Sequence, residues 1–142
     1  MIGNPLSGSC ACGEIKYTIN GQVLTCGHCH CESCRRWQSS AFATWLSCRA
    51  EDFRIDSGAE KLGVYESSSG VSRQFCLRCG SPLFYRSIEE ADVVYATLSS
   101  LTASNGTMPT RHVSFEERVE WFAFVDDLPK FKGKCDLIQV QT

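Results

Sequence analysis

Two short cysteine pairs, far apart in the chain, constrain the fold more than any other feature: Cys10-Ala11-Cys12-Gly13 and Cys76-Leu77-Arg78-Cys79-Gly80. On an extended backbone the side chains of residues i and i+2 share a face, and a C-x-x-C turn brings its two sulfurs onto one centre. Four such sulfurs make a tetrahedral zinc shell. Closing the long loop between Cys12 and Cys76 costs roughly 3–4 kcal/mol of chain entropy, against roughly 10–16 kcal/mol for structural zinc in small peptides. Metal binding outweighs the closure cost. A shell of four thiolates leaves no position for another ligand, so the expected role of Cys10, Cys12, Cys76 and Cys79 is to clamp distant segments together.

The chain holds ten cysteines, and the compartment decides what they are for. Met1-Ile2-Gly3-Asn4-Pro5 lacks the charged and then apolar pattern of a secretory leader, and no apolar run approaches the ~18 residues of a membrane span. A cytoplasmic location and no membrane partner are expected. In that reducing setting a disulfide framework does not persist, which leaves metal binding as the leading explanation.

Between the two pairs lies Gly27-His28-Cys29-His30-Cys31-Glu32-Ser33-Cys34-Arg35-Arg36. Three protein ligands with a fourth position left for water or substrate is the pattern of catalytic zinc. Cys29, Cys31 and Cys34 are therefore expected to hold a second, open zinc. Imidazole is also a zinc ligand, but a side chain lying between the cysteines of C-x-C faces away from them on an extended backbone. His28 and His30 thus remain alternatives for closing the shell, as does Cys26, which has chelate spacing to Cys29. Cys48 and Cys135 have no partner at chelate spacing and read as small buried hydrophobes. Trp37, Trp45 and Trp121 read as core or pocket wall.

The remaining sequence reads as mainly β and as one domain over residues 1–142. Residues 14–19 alternate polar and apolar, with Asn20-Gly21 following as a hairpin signal. Further β-prone runs are expected at 41–46, 53–55, 72–75, 83–85, 93–98 and 119–125, and only 31–37 has the character of a short helix. Ser67-Ser68-Ser69-Gly70 reads as a hairpin turn and Ser104-Asn105-Gly106 as a surface loop. A formal net charge of −2 gives no general attraction for phosphate backbones, so nucleic acid is not an expected partner.

The order of motifs resembles that of the glutathione-dependent formaldehyde-activating enzyme family, which also includes the centromere protein V group. The resemblance runs from Gly8-Ser9-Cys10-Ala11-Cys12-Gly13 through His28-Cys29-His30-Cys31-x-x-Cys34-Arg35-Arg36 and Gly70-Val71-x-Arg73-x-Phe75-Cys76-x-x-Cys79-Gly80-Ser81-x-Leu83 to Pro109-x-x-His112-Val113 and Asp127-Leu128-Pro129-x-Phe131. It implies the β-tent zinc fold of packed antiparallel sheets with little helix. It implies two zinc ions per chain, a structural one on Cys10, Cys12, Cys76 and Cys79 and a catalytic one on Cys29, Cys31 and Cys34. The reaction implied is that of a carbon–sulfur lyase, which forms or breaks S-hydroxymethylglutathione from a small thiol (glutathione) and an aldehyde (formaldehyde). Arg35, Arg36 and Arg73 are candidates to pair with substrate carboxylates, because guanidinium groups bind them bidentately. The Ser67–Ser68–Ser69 turn is a further candidate to line the site. The rival reading is a non-enzymatic zinc module, a chaperone or interaction protein in which Cys26 or a histidine closes the second shell.

Overall fold

The computed structural model describes residues 4–133, and Cys135 lies outside them. The described residues form eleven strands, one α-helix and several single 3-10 turns. The strands are β1 (Leu6–Ser9), β2 (Lys16–Ile19), β3 (Val23–Cys29), β4 (Ala43–Arg49), β5 (Phe53–Ser57), β6 (Leu62–Ser68), β7 (Val71–Cys76), β8 (Pro82–Ser87), β9 (Val93–Thr97), β10 (Leu101–Ala103) and β11 (His112–Val113); the helix is α1 (Glu32–Gln38). They make a four-stranded sheet in the order β10-β1-β2-β5 and a seven-stranded sheet in the order β11-β3-β4-β9-β8-β7-β6. The protein is mainly β, as its sequence indicates.

The core forms where these two sheets face each other. Leu6, Tyr17 and Ile19 of the smaller sheet pack with Leu46, Cys48, Phe84, Val94 and Ala96 of the larger. The Tyr17 ring meets the edge of Phe84 at a centroid distance of 5.0 Å, and Phe53 meets Phe84 at 4.8 Å. Because side chains alternate along a strand, the opposite face of the seven-stranded sheet carries the other parity. Thr25, Gly27 and Cys29 of β3, Trp45 of β4, Val71 and Arg73 of β7, Tyr85 and Ser87 of β8, and Tyr95 of β9 all line one cavity there. The register carries this across the sheet, Arg73 opposing Tyr85 and Tyr85 opposing Tyr95.

Four expectations change in detail. Asn20-Gly21 does not close a hairpin: β2 already has β1 and β5 as antiparallel neighbours on its two edges, so the turn carries the chain into the other sheet. Residues 119–125 form no strand. Their aromatic rings are used for packing instead, with Phe124 against Phe42 and Phe122, while Val125 is exposed. The sheets are also not wholly antiparallel, since β11 runs parallel to β3 with His112 opposite His28 and Val113 opposite Cys29. The helix begins one residue later than the sequence suggests because Cys31 serves as its N-cap, its sulfur accepting from the Cys34 amide at 3.3 Å. The Ser67–Ser69 segment does turn β6 into β7.

Candidate functional site

The four distant cysteines converge. The sulfurs of Cys10, Cys12, Cys76 and Cys79 all lie within 4.8 Å of one another. Both pairs sit on tight turns in which the following glycine donates back to the first cysteine's carbonyl, Gly13 to Cys10 at 3.1 Å and Gly80 to Cys76 at 2.8 Å. Each glycine has the positive φ that the turn requires, 81° at Gly13 and 78° at Gly80, a conformation costly for residues with a Cβ. Four sulfurs at about 2.3 Å from one ion stand about 3.8 Å apart in a tetrahedron. Here Cys10 and Cys12 are 3.6 Å apart and Cys12 and Cys76 are 3.8 Å apart. The donor set fits a metal ion. Ser81 lies 3.1 Å from the Cys79 sulfur and its hydrogen bonds draw that thiol down to about 5, which favours the thiolate that a metal needs.

The second cluster is Cys29, Cys31 and Cys34, again with all sulfurs within 4.8 Å of one another. Strand β3 delivers Cys29, the helix cap delivers Cys31, and the first turn of α1 delivers Cys34. Among the described residues no fourth His, Cys, Asp or Glu places a ligand atom in this group. Cys26 instead belongs to the core on the other face of β3, where burial pushes its thiol up to about 11. His28 pairs with the Thr44 hydroxyl at 2.8 Å. His30 turns away from the sulfurs on either side of it, and its Nε2 lies 2.7 Å from His112 Nδ1. Burial lowers the His30 pKa to about 4, so the ring is neutral near pH 7.

These three sulfurs open onto a cavity of about 460 Å³, whereas no member of the four-cysteine group lines it. Arg73, only 4% exposed, reaches the Cys34 sulfur with both terminal nitrogens at 3.7 and 3.8 Å. Its Nε donates to the Ser67 hydroxyl at 3.2 Å, and its charge sits 5.2 Å from the centre of the Tyr85 ring. Hydrogen bonds from Cys29 and Cys31, followed by burial opposed by the charge of Arg73, leave the Cys34 thiol well below its ordinary range. The same sulfur contacts push Cys29 up. The cluster thus favours one thiolate even among thiols, beside a fixed cation.

The other two arginines are placed differently. Arg36 forms an exposed pair with Glu32 at 2.8 Å, and Arg35 donates from Nε to the His30 carbonyl at 3.1 Å; neither lines the cavity. Ser67 and Ser68 do line it, together with Arg111, Glu89 and Glu90. Tyr85 and Tyr95 carry no local motif and Arg111 only adjoins one, and only the pairing of distant strands brings them to the cavity. Cys48 is fully buried in the core.

Comparison with known proteins bears on this arrangement. A model of the family described as glutathione-dependent formaldehyde-activating enzyme matches residues 5–117. An uncharacterized lyase of Schizosaccharomyces pombe is 40% identical over 80 residues, covering 55% of this chain and 55% of the relative. A Fusarium vanettenii protein provisionally named glutathione-dependent formaldehyde-activating enzyme is 26% identical over 103 residues, covering 69% of this chain and 55% of its own. The chain thus spans about half the length of these relatives. The crystal structure of a Rhodobacter sphaeroides protein shares the fold, with a TM-score of 0.59 at 24% identity over 72% of this chain and 91% of that one. With the family model matching most of its length, and with the two cysteine clusters each gathered as a possible metal site, the chain belongs to the glutathione-dependent formaldehyde-activating enzyme family.

Proposed function

We propose that the chain is a zinc-dependent carbon–sulfur lyase that forms or breaks a thiol–aldehyde adduct such as S-hydroxymethylglutathione. The observation that carries this reading is the contrast between the clusters: four sulfurs gathered away from the cavity, and three facing into it. Cys10, Cys12, Cys76 and Cys79 would hold a structural zinc, and Cys29, Cys31 and Cys34 would hold a catalytic one beside the cavity that receives the substrate thiol. When bound, zinc supplies Lewis acidity that deprotonates a coordinated thiol, whose free pKa of ~8.5 would leave it mostly protonated at pH 7.

The chain's own residues then orient and stabilise. In the forward direction the substrate sulfur bonds to the aldehyde carbon, the carbonyl π pair moves to oxygen, and that oxygen takes up the proton the thiol gave away; the reverse cleaves the carbon–sulfur bond. Arg73 is the fixed cation nearest the sulfurs and is suited to stabilise negative charge on the alkoxide or on a substrate carboxylate. Trp45, Tyr85 and Tyr95 wall the cavity and displace water from the reacting atoms. Arg111 offers a second positive contact for a thiol bearing carboxylates. Glutathione and formaldehyde fit this chemistry, and a cytoplasmic location would keep both substrate and ligand thiols reduced.

The test is adduct formation from glutathione and labelled formaldehyde, followed by exchange NMR with zinc-replete protein and with the Cys31→Ser/Cys34→Ser variant. We expect acceleration that the variant loses, with elemental analysis giving about two zinc ions for the parent protein and one for the variant. A rate equal to the uncatalysed one, with glutathione leaving the spectrum of cobalt-substituted protein unchanged, would exclude this activity.

A further inference from the structure

We propose that Asp126 and His112 are positioning residues for the three-cysteine site and that they act through His30. This rests on reading Cys29, Cys31 and Cys34 as a metal site. His30 is the residue between two of the three sulfurs, and whatever fixes it fixes the sulfurs on either side. Its ring is fully buried among Phe42, Phe115 and Phe124, at centroid distances of 5.3, 5.1 and 4.8 Å. From there a hydrogen-bonded chain leads outward. His30 Nε2 meets His112 Nδ1 at 2.7 Å, and His112 Nε2 meets the two Asp126 carboxylate oxygens at 3.0 and 2.9 Å.

The chemistry of the end group sets the direction of every bond. An ionised carboxylate only accepts, so His112 donates from Nε2. In neutral His112 the Nδ1 is then an acceptor, and His30 donates to it from Nε2. This leaves His30 Nδ1 as a bare acceptor, and it is a buried atom with no partner among the described residues. Running the inner bond the other way would place a proton on that atom, an orphaned buried N–H, which proteins avoid more strictly than an orphaned acceptor. Asp126 therefore selects one tautomer of two successive rings.

The backbone is held at the same point. The His30 amide donates to the Val113 carbonyl at 3.0 Å, the His28 amide donates to the Arg111 carbonyl at 2.9 Å, and the His30 carbonyl accepts from Arg35. Residue 30 is thus anchored at its nitrogen, its oxygen and its ring. His112 is itself tied to the following segment through Phe131, whose amide donates to the His112 carbonyl at 2.9 Å, and through its own amide, which donates to Pro129 at 2.8 Å. Asp126 lies beyond residues 5–117 matched by the family model, so part of the support for the site comes from outside the matched region.

Hydrogen-bond partners behind a metal shell usually change metal affinity by about 10–100-fold when removed. The experiment loads the protein with cobalt and follows thiolate-to-cobalt absorption during chelator competition; the four-cysteine signal is taken from Cys31→Ser/Cys34→Ser protein and subtracted. We expect Asp126→Ala to weaken retention at the three-cysteine site about tenfold or more and to leave the four-cysteine site unchanged. Asp126→Asn, which keeps an acceptor for His112 Nε2–H, should recover most of the loss. His30→Phe should reproduce the loss, and adding Asp126→Ala to it should cost little more. Should Asp126→Ala fail to fold, His30→Phe against His30→Gln, which keeps a donor for His112, carries the same comparison. Unchanged retention, equal loss at both sites, or full additivity of the two substitutions overturns the inference. A parent protein that takes up no metal at Cys29, Cys31 and Cys34 overturns the proposed function and this inference together, whereas normal uptake with unaltered retention in the variants overturns this inference alone.

Discussion

Removing the far half of the four-cysteine cluster tests the division of labour between the two sites. The perturbation is Cys76→Ser/Cys79→Ser, compared with Cys31→Ser/Cys34→Ser. The Cys12 and Cys76 sulfurs are neighbours although 64 positions separate them, and closing a loop of that length removes about 4 kcal/mol of unfolded-state entropy. Cys29 and Cys34 are only five positions apart, for which the same relation gives about 2 kcal/mol. Each double substitution removes one deeply buried thiol, Cys76 in one case and Cys34 in the other, so the desolvation contributions nearly cancel. The first variant should therefore be less stable than the second by about 2 kcal/mol, equivalent to roughly 6–10 °C in melting temperature for a chain of this size. Calorimetric melts of metal-replete proteins in chelator-treated buffer measure the gap. Equal midpoints, or a lower midpoint for Cys31→Ser/Cys34→Ser, would refute the assignment of the clamping role to the four-cysteine cluster.

Replacing Arg73 by Met removes a buried charge-assisted contact to Cys34, worth about 1.5–3 kcal/mol, so kcat/KM for the thiol should fall roughly 10–150-fold, with Arg73→Lys between the two. Turnover measured with glutathione and formaldehyde checks this; an unchanged rate would remove Arg73 from the site. Tyr17 gives a pH prediction that does not depend on the cysteine clusters: burial raises its pKa from 10.0 to about 12. The unfolded chain therefore ionises first, and stability that is complete below pH 10 declines as pH rises toward 12, by ~3 kcal/mol from this group. Urea unfolding between pH 9 and 12 should show a shallower decline for Tyr17→Phe, and identical slopes would contradict the burial argument.

The parts of this molecule written in local sequence are the ones the chain could disclose by itself. The two cysteine pairs and the triplet have chelate spacing in the sequence itself, and the alternation that turns His30 away from its neighbours is a property of extended backbone. Most of the strands followed from apolar runs between turn residues. The cavity did not. Arg111 adjoins the His112-Val113 motif, but it, Tyr85 and Tyr95 reach the cavity only through pairing among β3, β11, β8 and β9. Residues 119–125 misled for a related reason: β-branched and aromatic side chains favour strands only when a ladder partner is present, and here the rings of Phe122 and Phe124 pack on Phe42. Among the three arginines, local sequence gave equal standing to all. Sheet register separates them, placing Arg73 opposite Tyr85 and leaving Arg36 on the exposed side of a helix.

The parallel pairing of β11 with β3 has a consequence for how the protein is made. A nascent chain emerges from its amino terminus onward, and the four-cysteine cluster has all its ligands once Cys79 is out. The support behind Cys29, Cys31 and Cys34 is incomplete until His112 and then Asp126 follow, 47 positions later. At translation rates of about 5–20 residues per second that interval is roughly 2–9 s. The order of synthesis thus lets the four-cysteine cluster gather first, and Cys29, Cys31 and Cys34 gain the support behind them only once β11 has paired with β3 and Asp126 has followed.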